Sequence, residues 1–219
     1  MAINKNFYLN LASELSSRNV TLVAVSKTKT IEDILELYNL GHRDFGENYV
    51  QELTTKADQL PKDIRWHYIG HLQSNKVKYI APFVHLIHGV DSLKLLKEIN
   101  KQGEKNSWII NCLLQVHIAQ EETKFGLDEK ELSDLINDPG IKQFHHSKIC
   151  GLMAMASFTE DMEKVRNEFK LLKSRYDKLS IFNFQFSTLS MGMSSDYKIA
   201  IEEGSTMVRI GSLIFGERI

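Results

Sequence analysis

The chain has 219 residues, of which 42% are hydrophobic and 25% are charged, and its formal net charge is −1. This composition is typical of a globular protein of one large domain or two small ones, and a charge so close to zero gives no bulk electrostatic attraction to nucleic acid or to an anionic membrane. Cys112 and Cys150 lack the spacing of a metal site or a disulfide framework, which fits a reducing cytosol. Residues 1–17 contain no apolar run of the signal-peptide type, and no apolar run in the chain approaches the ~20 residues of a membrane span.

Short apolar runs alternate with segments of helical periodicity along the chain. A leading helix is predicted over residues 3–17, followed by eight strands, with a helical segment after each of the first seven. Two of these helices begin with a capping box, Thr30 with Asp33 and Asp128 with Glu131. The predicted strands, of which the fifth is the longest, are Thr21–Val25, Asp44–Gly46, Arg65–Ile69, Val84–Val90, Trp108–His117, Ile149–Met153, Phe182–Phe186 and Met207–Ile210.

Strands that alternate with helices form a parallel sheet, because parallel neighbours need a crossover connection. Eight such units close most naturally into a (β/α)₈ barrel of the TIM type, although this fold typically needs about 250 residues. An open doubly wound sheet is the alternative. No linker or low-complexity stretch divides the chain, so we expect one domain over residues 1–219, with the extra N-terminal helix plugging the bottom of the barrel.

In a barrel of this type the working residues lie at the carboxyl-terminal ends of the strands. Lys27 follows the apolar run Leu22–Val25, so its amine is expected to be partly desolvated and nucleophilic toward a carbonyl carbon. The alternative is a surface lysine in a loop. Asn48 follows the second strand, and it either hydrogen-bonds a ring hydroxyl of a ligand or caps the next helix.

Two turns rich in small residues follow the last two predicted strands, Ser187–Ser194 and Gly211–Ser212. Their N–H groups and hydroxyls are suited to hold a phosphate, and barrels commonly bind phosphate at loops seven and eight. For the first turn, the alternative is a serine/threonine turn that only caps the next helix.

Arg209 lies in the eighth strand, where alternation turns Met207 and Arg209 inward. A guanidinium inside a barrel must be paired, because burying it alone is prohibitive. Its partner is either a carboxylate such as Glu47 or the pyridine nitrogen of bound pyridoxal 5′-phosphate (PLP). Since arginine does not release its proton, the second pairing would keep that nitrogen unprotonated and weaken the ring as an electron sink.

The eight histidines form no convincing metal set. His67 and His71 are four residues apart, but a strand and Gly70 intervene, so helical ligand spacing is not available. His145 and His146 lie in a polar loop. We expect no metal site, and structural or solvated roles for these side chains.

Six ordered segments carry a resemblance to a known family. They are Val23–Thr28, Phe45–Glu52, Trp66–Lys76, Gly151–Met153, Leu189–Ser194 and Gly204–Gly211. In these segments the sequence resembles the pyridoxal phosphate homeostasis proteins, small PLP-binding barrels related to the N-terminal domain of alanine racemase (fold type III of the PLP proteins). A looser match over Glu121–Gly126 leaves the role of Lys124 open.

The resemblance implies PLP as the cofactor, held as a Schiff base on Lys27, with Asn48 near the cofactor ring and Arg209 at the pyridine nitrogen. It places the phosphate on Ser190, Met191, Gly211 and Ser212. It also implies a cytoplasmic protein of vitamin B6 and amino-acid homeostasis, with no established turnover. The partners expected are PLP, amino acids and PLP-requiring apo-enzymes, with neither nucleic acid nor membrane among them, and the expected state is a monomer.

A racemase-like enzyme is the alternative function. Racemases on this barrel type add a β domain that supplies catalytic groups, whereas only ten residues follow Arg209 here. Tyr49 and Tyr68, the nearest candidates for a second acid or base, lie among apolar neighbours that indicate packing roles. We therefore expect PLP binding without turnover. A phosphate-binding barrel enzyme without PLP is a third option, which would leave Lys27 and Arg209 unexplained.

Overall fold

Eight short parallel strands close into a barrel in the computed structural model, which describes residues 3–119, 125–182 and 186–216. Each strand pairs with the next along the chain, and the last pairs with the first. The predicted (β/α)₈ barrel is confirmed, and the open sheet is wrong. The strands are β1 (Thr21–Val25), β2 (Asp44–Glu47), β3 (Arg65–Tyr68), β4 (Val84–Val90), β5 (Ile110–Gln115), β6 (Ser147–Met153), β7 (Thr188–Ser190) and β8 (Met207–Ile210).

Helices connect successive strands, as the periodicity predicts. Both predicted capping boxes form, Thr30 with Asp33 and Asp128 with Glu131. In the parts of the chain that the structure describes, no helix combines the length and the apolar character needed to cross a bilayer. The described α-helices are α1 (Lys5–Ser17), α2 (Ile31–Asn39), α3 (Val50–Gln59), α4 (Val77–Ile80), α5 (Leu93–Lys105), α6 (Glu129–Asn137), α7 (Met162–Phe182), α8 (Tyr197–Glu202) and α9 (Ser212–Phe215).

Strand alternation divides the apolar residues into two layers. Residues such as Leu22, Ala24 and Val208 face outward into the large core between strands and helices. The inward-facing positions form a smaller cluster inside the barrel, and burial of each such side chain contributes roughly 1.5–3 kcal/mol. Its buried members are Val23, Leu86, Leu113, Cys150, Met153 and Met207.

The predicted positions of two strands are wrong in part. The predicted strand Phe182–Phe186 is wrong at its first residue, since α7 continues to Phe182, while residues 183–185 lie outside the described residues; the seventh strand is Thr188–Ser190. The helical face of α7 extends through Tyr176 and Leu179, which pack against the core and keep this segment helical. The fifth strand has six residues, and β4 and β6 have seven each, so it is not the longest.

The leading helix runs along the barrel wall rather than across its bottom. At its start, Asn4 N–H donates to Ile214 O at 2.8 Å, and Ile214 follows the upper, carboxyl-terminal end of β8. At its other end the chain enters the lower end of β1. Lys5 also forms an ion pair with Glu36 of α2 at 2.7 Å. The expected plug is therefore wrong, and α1 occupies a place in the outer layer of helices.

Gly151 lies where β6 meets β7, and a Cβ atom there would come within 1.7 Å of Thr188 O. We expect Gly151→Ala to lower the free energy of unfolding by about 3 kcal/mol, because the two strands must separate to admit a methyl group. Gly41→Ala is the control, since Gly41 has a φ of +95° but a Cβ atom there would meet no other atom within 4 Å, and it should cost about 1–2 kcal/mol. Equal losses in urea unfolding would contradict the strand contact.

Candidate functional site

Lys27 lies in a tight turn directly above the carboxyl end of β1. The turn is closed by a hydrogen bond of 3.0 Å from Lys29 N–H to Ser26 O, and Lys27 itself is half-buried. Thr28 has a φ of +64°, which is uncommon for a residue with a side chain. Such a conformation persists only when the surroundings hold it in place.

A buried lysine of α3 holds one side of this turn. Lys56 Nζ donates to Ser26 O at 2.7 Å, to Glu47 Oε1 at 2.8 Å and to Glu52 Oε1 at 2.7 Å. The Glu47 side chain is fully buried and that of Lys56 nearly so. Burial raises the pKa of Glu47, and the Lys56 ammonium opposes this rise.

The two carboxylates reach the residues on both sides of Lys27. Ser26 Oγ donates to Glu47 Oε1 at 2.6 Å, and Thr28 N–H donates to Glu52 Oε1 at 2.6 Å. The backbone before and after Lys27 is therefore fixed to α3 by charge-assisted hydrogen bonds, which are stronger than neutral ones. We name Ser26, Thr28, Glu47, Glu52 and Lys56 the outer clamp.

Lys29, two residues after Lys27, has a structural role. Lys29 Nζ donates to Phe215 O at 3.0 Å and to Gly216 O at 3.3 Å, so it satisfies carbonyls at the end of α9. Lys124, whose role the sequence leaves open, lies outside the described residues.

Asn48 does not cap the helix that follows it. The N-cap of α3 is Tyr49, and no side chain caps it. Asn48 Oδ1 is buried and has no hydrogen-bond partner among the described residues, while its backbone carbonyl accepts from Tyr68 Oη at 2.9 Å. The helix-cap interpretation is wrong, and a buried amide oxygen remains available to a donor.

The turns after β7 and β8 meet at this end of the barrel. Gly192, with a φ of +94°, makes the bend after β7, and its carbonyl accepts from Arg209 N–H at 3.0 Å. Gly211 N–H donates to Ser194 Oγ at 3.4 Å, so Ser194 does not cap α8. A Cβ at Gly211 would lie 3.2 Å from Val25 Cβ, which brings this glycine beside the Lys27 turn.

Arg209 points into the barrel, as alternation predicts, and only 4% of it is exposed. It donates to Ser190 O at 3.0 Å, to Ser190 Oγ at 2.6 Å and to Ala154 O at 3.0 Å. Glu47 belongs to the outer clamp, and no carboxylate of the described residues forms an ion pair with Arg209 within 4.0 Å. Burial lowers the pKa of Arg209 to about 10, with Asp196 opposing, so the side chain stays charged at neutral pH.

Two buried histidines connect this arginine to the opposite end of the barrel. His88 Nδ1 lies 3.3 Å from Ser190 Oγ, and His88 Nε2 lies 3.0 Å from His67 Nδ1. His67 Nε2 lies 3.0 Å from Asp44 Oδ1. We name Arg209, Ser190, His88, His67 and Asp44 the inner polar chain.

The sequence analysis did not predict the inner polar chain, although strand alternation contains the signal for it. Asp44, His67 and His88 occupy inward positions of β2, β3 and β4, just as Arg209 does in β8. His85 also brings a ligand atom within 4.8 Å of those of Asp44 and His67. Arg65 already pairs with both oxygens of Asp44, so the carboxylate is neutralised by protein.

A separate depression of about 750 Å³ lies on the outer surface of the barrel. Its described lining comes from α6, the 3₁₀ helix Pro139–Gln143 and α7, and includes Leu132, Ile136 and Arg175. Since the residues argued above lie at the mouth instead, this depression is not the site that the sequence predicts.

A family model and two relatives of known name are similar to this protein over most of its length. A family model for the N-terminal domain of alanine racemase matches residues 2–219. The pyridoxal phosphate homeostasis protein of Aquifex aeolicus (strain VF5) is 43% identical over 199 residues, which are 90% of this chain and 86% of the relative. That of Homo sapiens is 40% identical over 211 residues, covering 90% of this chain and 76% of the relative.

A solved structure extends the similarity to the fold. PipY of Synechococcus elongatus PCC7942, in a structure with PLP bound, gives a TM-score of 0.86 at 33% sequence identity. The match covers 96% of this chain and 100% of that chain. The resemblance seen in the sequence is confirmed.

The outer clamp depends on Lys56. We expect Lys56→Met to lower the free energy of unfolding by about 3–5 kcal/mol, because the substitution leaves Glu47 buried without its cation. Lys173→Met is the control, since Lys173 pairs with Asp177 on the exposed surface, and it should cost less than about 1 kcal/mol. Urea denaturation measures both, and a small loss for Lys56→Met would show that the clamp is not a buried ion pair.

Proposed function

We propose that this chain, which belongs to the pyridoxal phosphate homeostasis proteins and to the wider family of alanine racemase N-terminal domains, binds PLP at the mouth of its barrel. One observation carries the proposal: the candidate residues follow or lie in β7, β8, β1 and β2, which are consecutive neighbours around the closed sheet. One small ligand can therefore contact all of them.

Two polar groups at the mouth of the barrel are complementary to polar atoms of PLP. Asn48 Oδ1 is a buried acceptor without a donor, which suits the ring hydroxyl. Arg209 is a buried hydrogen-bond donor, and no carboxylate of the described residues forms an ion pair with it. Such a donor suits the pyridine nitrogen, which accepts a hydrogen bond. The unpartnered Asn48 Oδ1 costs free energy until a donor reaches it.

Lys27 is the residue that we propose to hold PLP as a Schiff base. When bound, PLP supplies an aldehyde for the amine and a ring that accepts electrons. The outer clamp supports this role, because it fixes the backbone on both sides of Lys27.

The proposed phosphate site comprises Ser190, Met191, Gly211 and Ser212, and these four residues differ in how far they are already engaged. Ser190 Oγ accepts from Arg209, and Met191 N–H donates to Met207 O at 3.2 Å. Among the described residues, Gly211 N–H makes only the long 3.4 Å contact, and Ser212 begins α9, where N–H groups lack helical acceptors. We therefore propose that Gly211 and Ser212 contact the phosphate, while Ser190 and Met191 support the turn.

We further propose that the bound cofactor undergoes little turnover. Arg209 does not release a proton to the ring nitrogen, so the nitrogen would stay unprotonated and the ring would stabilise a carbanion poorly. Tyr68 donates its hydroxyl to the carbonyls of Asn48 and His71, and burial raises its pKa to about 12, so it is a poor base at neutral pH. Tyr49 is 57% exposed, so its expected packing role is wrong.

A protein that binds PLP without consuming it suits the homeostasis role for which its relatives are named. We propose amino acids, which compete for the aldehyde, and PLP-requiring apo-enzymes, which accept the cofactor, as the partners of a cytoplasmic monomer.

Lys27→Ala should abolish covalent attachment of PLP, whereas the matched variant Lys29→Ala should retain it. Reduction with borohydride followed by peptide mass spectrometry should place the pyridoxyl group of the wild-type protein on Lys27. Circular dichroism checks that both variants fold. A pyridoxyl group on Lys29 or Lys124 of the wild-type protein would show that the assignment is wrong.

The PLP-loaded protein should convert L-alanine to D-alanine no faster than free PLP at the same concentration. Chiral chromatography after incubation measures the product. Saturable racemisation on the order of 10 turnovers per second, lost in Lys27→Ala, would instead establish a racemase-like enzyme.

A further inference from the structure

The two ends of the inner polar chain have opposite hydrogen-bonding roles. Arg209 only donates hydrogen bonds, whereas the ionised carboxylate of Asp44 only accepts them. Arg65 donates to both oxygens of Asp44, through Nε at 2.7 Å and through a second, shorter contact. Although burial opposes it, this ion pair holds the pKa of Asp44 well below its usual range.

We assign each link as a donation toward Asp44, the direction that both ends permit when each histidine carries one proton. His67 Nε2–H donates to Asp44, which leaves His67 Nδ1 as the acceptor for His88 Nε2–H. His88 Nδ1 is then a bare nitrogen that accepts the hydroxyl proton of Ser190. This assignment fits His88, because burial lowers the pKa of His88 well below its ordinary value, with His67 and Arg209 acting in the same direction.

This direction determines what Ser190 offers to the arginine. Because the hydroxyl proton points to His88, a lone pair of Ser190 Oγ is available to Arg209, which donates to it at 2.6 Å. Ser190 O and Ala154 O complete the set of acceptors around the guanidinium.

We infer that His88 is a positioning residue for Arg209, acting through Ser190. The inference rests on the proposed function and deepens it, because it assigns to His88 the task of orienting the group that meets the ring nitrogen of PLP. A carboxylate bonded directly to Arg209 would compete with the cofactor for its N–H groups. Asp44 instead acts through four successive hydrogen bonds, so it stabilises the guanidinium without bonding to its N–H groups.

Two substitutions of His88 separate positioning from packing. In His88→Gln the amide oxygen can accept from Ser190 while the amide N–H donates to His67, so the direction of the chain is preserved. In His88→Leu both links are lost. Ser190→Ala breaks the same link from the other side and serves if His88→Leu does not fold, which urea unfolding and circular dichroism decide.

The readouts are the Kd for PLP and the ring-nitrogen signal of ¹⁵N-labelled PLP. We expect His88→Leu and Ser190→Ala to weaken PLP binding about tenfold, the effect of losing one charge-assisted hydrogen bond, and to shift the ring-nitrogen signal. His88→Gln should stay within about twofold of the wild-type Kd and keep its signal. The double variant should lose no more than either single one, because both act on one chain.

A measurement on the protein without PLP tests the inner polar chain independently of cofactor binding. In the free protein, ¹⁵N NMR of labelled histidine should show both His67 and His88 protonated on Nε2, and the guanidinium signals of Arg209 should move in His88→Leu but not in His88→Gln. A proton on His88 Nδ1, or a folded His88→Leu that leaves Arg209 and PLP binding unchanged, would overturn the inference. Correct histidine signals in a protein that does not bind PLP would instead refute the proposed function alone.

Discussion

The burial of one guanidinium inside an apolar barrel is the constraint on which the rest of the site depends. Placing Arg209 among aliphatic side chains is costly unless every donor finds an acceptor. Two backbone carbonyls and one hydroxyl meet part of this need, while no carboxylate of the described residues pairs with it directly. The interior is therefore built around a charge that is solvated by dipoles and remains available to a ligand acceptor.

Two sets of polar contacts hold the mouth of the barrel, one on each side of its wall, and β2 contributes to both. Asp44, at its start, faces inward and ends the inner polar chain, whereas Glu47, three residues later, faces α3 and belongs to the outer clamp. This placement follows from alternation along a strand, because positions separated by an odd number face opposite sides. The outer clamp fixes the turn that carries Lys27, and the inner chain fixes Arg209.

If Lys27 and Arg209 bind one cofactor, as we propose, the two sets hold different parts of it, which would favour retention of the cofactor over chemistry on it. A lysine on a clamped turn and an oriented arginine lose little conformational entropy on binding. Racemisation would additionally need a second acid or base, and the hydroxyl of Tyr68 is already committed to two backbone carbonyls. The hydrogen bonds of Tyr68 thus limit the supply of mobile protons.

Local pattern in the sequence was enough to predict the alternation of strands and helices, both capping boxes and the positions of Lys27 and Arg209 in their strands, because alternation, helical spacing and strand ends are properties of neighbouring residues. Only the tertiary structure decided that the seventh strand begins at Thr188, since α7 stays helical through packing against the core. It also decided that Asn48 caps nothing and that Lys29 serves α9. The outer clamp and the inner polar chain join residues up to 102 positions apart, and such pairings depend on barrel closure, which no local pattern encodes.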